Sequence, residues 1–198
     1  MKPTAFFSSR ANGKLLLTAE YFILDGAVGL ALPTQKGQNL EVFATDTPYI
    51  VWQSLDADGS LWFEGKFEAT TGIYLEGTDE TIGSTLTNIF KAILFQRPDF
   101  TLELKPCKVI ASLDFPRNWG LGSSSTLIFN LAQWAKVNPY QLQFDTFGGS
   151  GYDIACAGAT QAILYQKLST PQIQVVDFEP SFKHQLFLYI CSKSRTVV

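Results

Sequence analysis

The sequence predicts an α+β fold, rich in strands and with few helices. Three observations carry this. Ile82–Gln96 and Ser123–Val137 are the segments with clear helical character; in the first, apolar residues recur at Ile82, Leu86, Ile89, Phe90, Ile93 and Leu94. Elsewhere, short apolar or alternating runs are separated by Gly, Pro, Asn and Asp, which is strand and turn patterning. The chain of 198 residues is 46% hydrophobic and 17% charged, enough to bury a core without disulfide staples.

Taken in order, Lys14–Phe22 is β-prone up to Ala19-Glu20, and Ile23–Pro33 turns at Asp25-Gly26 into a second apolar run, giving two strands about a DG turn. Asn39–Ala44 alternates as a further strand. Tyr49–Gln53 and Ser60–Glu64 flank Asp56–Gly59 as a hairpin. The helix over Ile82–Gln96 stops at Arg97-Pro98-Asp99. Phe100–Leu104 and Lys108–Leu113 read as strands, and Pro116–Gly122 as a loop. The hydroxyls at Ser123–Thr126 suit the cap of the second helix, which Asn138-Pro139 breaks. Phe147–Tyr152 is a glycine-rich loop, and Asp153–Gly158 starts a short helix. Ala162–Gln166, Ile173–Phe178 and Gln185–Ile190 read as three last strands.

Composition narrows the function classes. Lys+Arg is 15 against 18 Asp+Glu, a net charge of −3, with no basic stripe for nucleic acid and no polybasic tail for a membrane surface. No apolar run approaches the length of a membrane span, and the N-terminus lacks a signal-peptide core. Cys107, Cys156 and Cys191 are an odd, widely spaced set, which fits a reducing cytoplasm and argues against a disulfide or zinc scaffold. His184 is the sole histidine and lies in a charged stretch.

Three local features carry chemistry. Gly120-Leu121-Gly122-Ser123-Ser124-Ser125-Thr126 runs into a helix. A helix start has unpaired N–H groups and about +0.5 of a charge, glycines permit close approach, and serines add hydroxyls, so the segment suits phosphate. It equally suits an ordinary capped helix. It is neither a Walker A loop nor a Rossmann fingerprint, because the required glycine spacing is missing. Gly149-Ser150-Gly151-Tyr152-Asp153 places a carboxylate after a flexible turn, where it can accept a proton, hold a metal or simply cap a helix. Gly13-Lys14, followed by Ala19-Glu20-Tyr21, places a lysine on a strand, where it can hold a phosphoryl group or merely face solvent. Of the tryptophans, Trp52, Trp62 and Trp134 read as packing; Trp119, in the glycine loop, is placed to contact a ligand.

In this order, GKLLLTAEYFILDGAVGLALPT (Gly13–Thr34), PRNWGLGSSSTLIFNLA (Pro116–Ala132) and GSGYDIACA (Gly149–Ala157) resemble the GHMP kinases, above all the mevalonate and phosphomevalonate kinase branch. Ala19 stands where the family has glycine before Glu20, and Ser125 where alanine is usual. The resemblance implies an N-terminal domain of the ribosomal protein S5 domain 2-like type over residues 1–180, and the start of a truncated, ferredoxin-like C-terminal domain over 181–198. It implies transfer of the ATP γ-phosphate to a hydroxyl or phosphate of a mevalonate-type acceptor in the cytoplasm. Gly120, Leu121, Gly122, Ser123, Ser124 and Ser125 would hold ATP, Ser124 and Glu20 would sit beside Mg²⁺, Asp153 would be the base and Lys14 its partner. The stretch before Gly149 offers only Asp145 as a further carboxylate, and the family's C-terminal glycine motif is absent. The alternative expectation is an inactive or truncated domain that binds nucleotide or acts as a scaffold.

Overall fold

The computed structural model describes residues 4–185 and 187–189. Its strands are β1 (Phe7–Leu16), β2 (Gly29–Ala44), β3 (Tyr49–Leu55), β4 (Leu61–Glu68), β5 (Tyr74–Gly77), β6 (Cys107–Leu113), β7 (Ile163–Gln166) and β8 (Gln172–Val175). Its α-helices are α1 (Glu80–Gln96), α2 (Ser123–Ala135), α3 (Pro139–Thr146) and α4 (Tyr152–Gly158). The strands form one mixed eight-stranded sheet, in the order β5-β4-β3-β6-β2-β7-β8 with β1 also on β2.

The 16-residue β2 organises the sheet. Gln38–Ala44 pairs with β6 and Gly29–Ala31 with β7, while β1 runs along the opposite edge. Between those two ladders β2 has a free edge, and Pro33, which cannot donate a ladder bond, sits there. Alternate residues of β2, β3, β4 and β6 (Leu40, Val42, Ile50, Trp52, Phe63, Phe67, Val109, Ala111) are buried on one face. They meet the apolar stripe of α1 (Leu86, Ile89, Phe90, Ile93) and that of α2 (Ile128, Leu131, Ala135) in one core. Asp79 caps α1 by accepting from the N–H groups of Thr81 and Ile82.

A buried polar chain fixes α2 on the sheet. Thr126 donates to Gln38 Oε1 at 2.9 Å, Asn130 Nδ2 donates to the Gln38 carbonyl at 3.0 Å, and Ser9 donates to Asn130 Oδ1 at 2.8 Å. Removing one partner from such a chain leaves a buried polar group unmatched, at a cost of about 1–3 kcal/mol. The amino end of α2 is therefore held in one position.

Several sequence expectations are corrected. The two runs Ile23–Pro33 and Asn39–Ala44 are not separate strands: the second half of the first and all of the second are parts of β2, continuous through the polar Gln35–Gln38. The turn before it is a 3-10 turn, Phe22–Asp25, with Gly26 left-handed at φ 89°. β1 starts at Phe7, earlier than expected, and ends at Leu16. Phe100–Leu104 is not a strand: Pro98–Leu102 forms a 3-10 helix, opened by a proline that fits a first helical turn. After Asn138-Pro139 a new helix, α3, begins, with Asn138 as its cap and Pro139 in its first turn. In the expected strand Gln185–Ile190, Gln185 closes the 3-10 turn Lys183–Gln185 and residues 187–189 are not extended ladder; residues 186 and 190–198, including Cys191, lie outside the described residues. His184 is exposed in that turn. Cys107 and Cys156 are buried free thiols, both pushed up to about 12 by burial.

Candidate functional site

The amino end of α2 is built by two left-handed glycines, Gly120 at φ 71° and Gly122 at φ 87°. The expected serine cap does not form. Gly122 occupies the N-cap position and no side chain caps the helix. Thr126 N–H is the first to find a helical acceptor, the Gly122 carbonyl at 3.0 Å. The N–H groups of Ser123, Ser124 and Ser125 thus stay unspent among the described residues, as the helix dipole requires of an anion site.

β1 brings Lys14 to this helix end through a bulge. The β1–β2 register slips between Asn12 and Lys14, and Lys14 N–H donates to the Leu121 carbonyl at 3.0 Å instead of to β2. Only glycine fits the bulge at Gly13, because a Cβ there would lie 2.6 Å from Thr34 Oγ1 and 2.9 Å from the Leu121 oxygen. The Lys14 side chain then crosses Gly122, where a Cβ would lie 3.1 Å from Lys14 Cγ, and its Nζ lies 5.3 Å from the Tyr152 ring centre.

α4 supplies the carboxylate. The left-handed turn at Gly149 and Gly151 points its first turn toward α2 and β1, and Tyr165 locks the turn by donating to the Ser150 carbonyl at 2.5 Å. Asp153 is half-buried, and its carboxyl is raised above its usual value chiefly by burial. Lys14 and hydrogen bonds from Ile154 N–H and Ser125 act the other way. The Ser125 hydroxyl is in range of both the Gly122 carbonyl, at 2.9 Å, and Asp153, so its one proton serves one of them at a time. Burial likewise raises the Tyr152 phenol, against the pull of Lys14.

The sequence-predicted residues divide accordingly. Lys14, Gly122, Ser125, Asp153 and Tyr152 meet in one place. Ser124 is exposed at the helix start and Ser123 half-exposed beside it. Leu121 is buried against Leu113 and Phe115, so only its backbone faces the site, and Ser125 is buried with its hydroxyl turned inward. Glu20 is exposed in a turn whose neighbours Ala19 (φ 65°) and Tyr21 (φ 66°) are both left-handed, and it acts electrostatically on Tyr152. Among the described residues no three His, Cys, Asp or Glu side chains cluster as a metal cage. Mg²⁺ is commonly held by one or two protein groups together with substrate phosphates rather than by such a cage.

Sequence reasoning missed a cavity of about 200 Å³ beside Ser123 and Ser124, walled by Trp62, Ile82, Leu86, Leu127 and Phe147. Trp62 was expected to be packing, and Trp119, at 36% exposure, does not line the cavity. Only the hairpin pairing of β3 with β4 and the packing of α1 bring these walls to the glycine loop; no local motif marks them.

No family model and no curated protein matches the sequence. The fold does find solved relatives. A D-glycero-D-manno-heptose 1-phosphate kinase from Bacteroides thetaiotaomicron superposes with a TM-score of 0.62 at 18% identity, over 87% of this chain and 60% of that one. The Methanococcus jannaschii mevalonate kinase gives 0.60 at 12% identity, over 90% and 58%. Streptococcus pneumoniae phosphomevalonate kinase, solved with phosphomevalonate and AMPPNP, gives 0.55 at 19%, over 82% and 50%. The fold is that of the GHMP-kinase N-terminal domain. These structural neighbours are GHMP-family kinases, and the chain spans 50–60% of their lengths. Among the described residues no helix is long and apolar enough to cross a membrane.

Proposed function

We propose that this chain is the nucleotide-binding lobe of an ATP-dependent small-molecule kinase, with a mevalonate-type acceptor. The observation that carries the reading is the meeting of three unspent N–H groups at the start of α2, the Lys14 ammonium and the Asp153 carboxylate. Phosphoryl transfer needs positioning and charge neutralisation more than covalent chemistry, and this set supplies both.

In the reaction, the β- and γ-phosphates lie against Ser123–Ser125 N–H, and the base enters the adjoining cavity. That cavity is smaller than the ~300–1,000 Å³ of a site enclosing a whole ligand, so it suits one ring system with the phosphates outside. Where the acceptor is a hydroxyl, Asp153 takes its proton as the oxygen bonds to the γ-phosphorus. The bond from that phosphorus to the bridging oxygen breaks, and ADP leaves. Lys14 offsets the charge gathering on the transferring group. The raised carboxyl of Asp153 suits a base, because efficiency is best when the pKa approaches working pH. Mg²⁺, held by Ser124, Glu20 and the phosphates, would add neutralising charge.

The test is transfer of labelled γ-phosphate from Mg²⁺-ATP to mevalonate, phosphomevalonate and heptose 1-phosphate, with Asp153→Asn as control. The reading predicts transfer to a mevalonate-type acceptor, lost in the variant with ATP binding kept. Transfer to the heptose phosphate alone would overturn the acceptor assignment. ATP binding without transfer to any acceptor would leave a nucleotide-binding module.

A further inference from the structure

The wall of the cavity beside Ser123 carries one charged side chain, Arg117. Arg117 opens the 3-10 turn Arg117–Trp119, just before Gly120. Its Nε donates to Asp56 Oδ2 at 3.0 Å, which ties the glycine loop to the β3–β4 hairpin. Its guanidinium lies 4.3 Å from the Trp62 ring centre, a cation–π stack. Only Nε is spent on Asp56; among the described residues the Nη groups have no protein acceptor. Two other polar groups on the cavity wall have donors to spare, while Thr85 spends its proton on the Thr81 carbonyl at 2.9 Å. Ser54 accepts from Trp52 Nε1 at 2.9 Å, so its own proton is free, and Gln38 Oε1 is taken by Thr126, which leaves its Nε2. Trp62 Nε1 is buried with no acceptor.

The cavity combines apolar walls, unspent donors and a planar cation held in place by Asp56. It is complementary to an aromatic ring with acceptor nitrogens at its edge. We propose that Arg117, anchored by Asp56 and stacked on Trp62, is the residue that contacts the nucleobase of the bound nucleotide. The proposal rests on the nucleotide reading above and adds which side chain holds the base. Asp56 is a positioning residue that fixes the guanidinium through Nε.

The experiment compares ATP with inorganic tripolyphosphate by isothermal titration calorimetry, on the full chain and on Arg117→Gln and Arg117→Lys. Each variant is first melted to confirm folding. The pair separates base contact from phosphate contact, since tripolyphosphate has no base. Lysine keeps the charge but loses the planar fork and its stacking face. The expected result is roughly 10- to 150-fold weaker ATP binding in both variants, the size of a hydrogen bond from a charged group, with tripolyphosphate affinity within about twofold of wild type. Equal loss for both ligands would make Arg117 a phosphate ligand and overturn the proposal. Unchanged ATP affinity in the glutamine variant, or full rescue by lysine, would overturn it as well, while leaving the nucleotide reading intact. Absence of ATP binding by the wild-type chain would overturn the nucleotide reading and the proposal together.

Discussion

The site's geometry depends on Gly122 in a way that can be separated from ordinary glycine loops. Gly120 and Gly122 are both left-handed, at φ 71° and 87°. A Cβ on Gly120 would meet nothing within 4 Å, whereas one on Gly122 would lie 2.7 Å from Ser125 Oγ and 3.1 Å from Lys14 Cγ. Gly120→Ala therefore costs only the left-handed backbone, about 1–2 kcal/mol. Gly122→Ala adds overpacking of about 1–3 kcal/mol, for about 2–5 kcal/mol in all. For a chain of this size that corresponds to a fall in Tm of about 2–8 °C for the first and about 4–20 °C for the second. Thermal melts followed by circular dichroism measure both. A further double-mutant comparison, Gly122→Ala with Lys14→Ala, returns part of the loss, because the lysine stem is one of the two clashing groups. If Gly122→Ala is as mild as Gly120→Ala, the Lys14 stem does not cross the helix start and the construction of the site is wrong.

The remaining predictions concern the carboxylate, the strained turn and the metal. Burial raises Asp153, so between the usual carboxylate value of 3.8 and its folded value the folded chain holds a proton that the unfolded chain has released. Stability then falls as pH rises through that window, and Asp153→Asn removes the fall. At pH 7 that variant is the more stable of the two; an unchanged or lower Tm would contradict the burial argument. Ala19→Gly relieves a left-handed alanine and stabilises by about 1 kcal/mol, read in urea midpoints; destabilisation would mean that the methyl's packing outweighs the backbone strain. On the function proposed above, Ser124→Ala lowers the rate with Mg²⁺-ATP while leaving tripolyphosphate binding without Mg²⁺ unchanged; an unaltered rate would count against Ser124 as a metal ligand.

How much of this was legible in the sequence depends on the range of the interaction. α1 shows itself because Leu86, Ile89, Phe90 and Ile93 repeat at helical spacing and are all buried. The glycines before Ser123 and the Asp153 carboxylate are visible because helix starts and tight turns demand local residue types. The serines misled for the same reason: their composition suits a cap, yet Gly122 takes the cap position and Ser125 turns inward to Asp153. β2 looked like two strands because Gln35–Gln38 is polar, but Gly37 and Gln38 are paired with Asn12 and Ala11 of β1, a partner that no local pattern reveals. Phe100–Leu104 misread because its alternation of apolar residues with Thr101 and Glu103 fits a strand, while Pro98 opens a 3-10 turn over the same stretch. The bulge at Gly13 and the Arg117–Asp56–Trp62 group are contacts between distant segments, so they appear only once the sheet is assembled.

The central claim is that the amino end of α2 receives the phosphates of a nucleotide. An amide NMR titration with Mg²⁺ and a non-hydrolysable ATP analogue tests it most directly. The account predicts that the N–H resonances of Ser123, Ser124 and Ser125 shift together and saturate at one concentration, in wild type and in Asp153→Asn alike. Saturating shifts elsewhere in the chain, with those three amides unmoved, would contradict it.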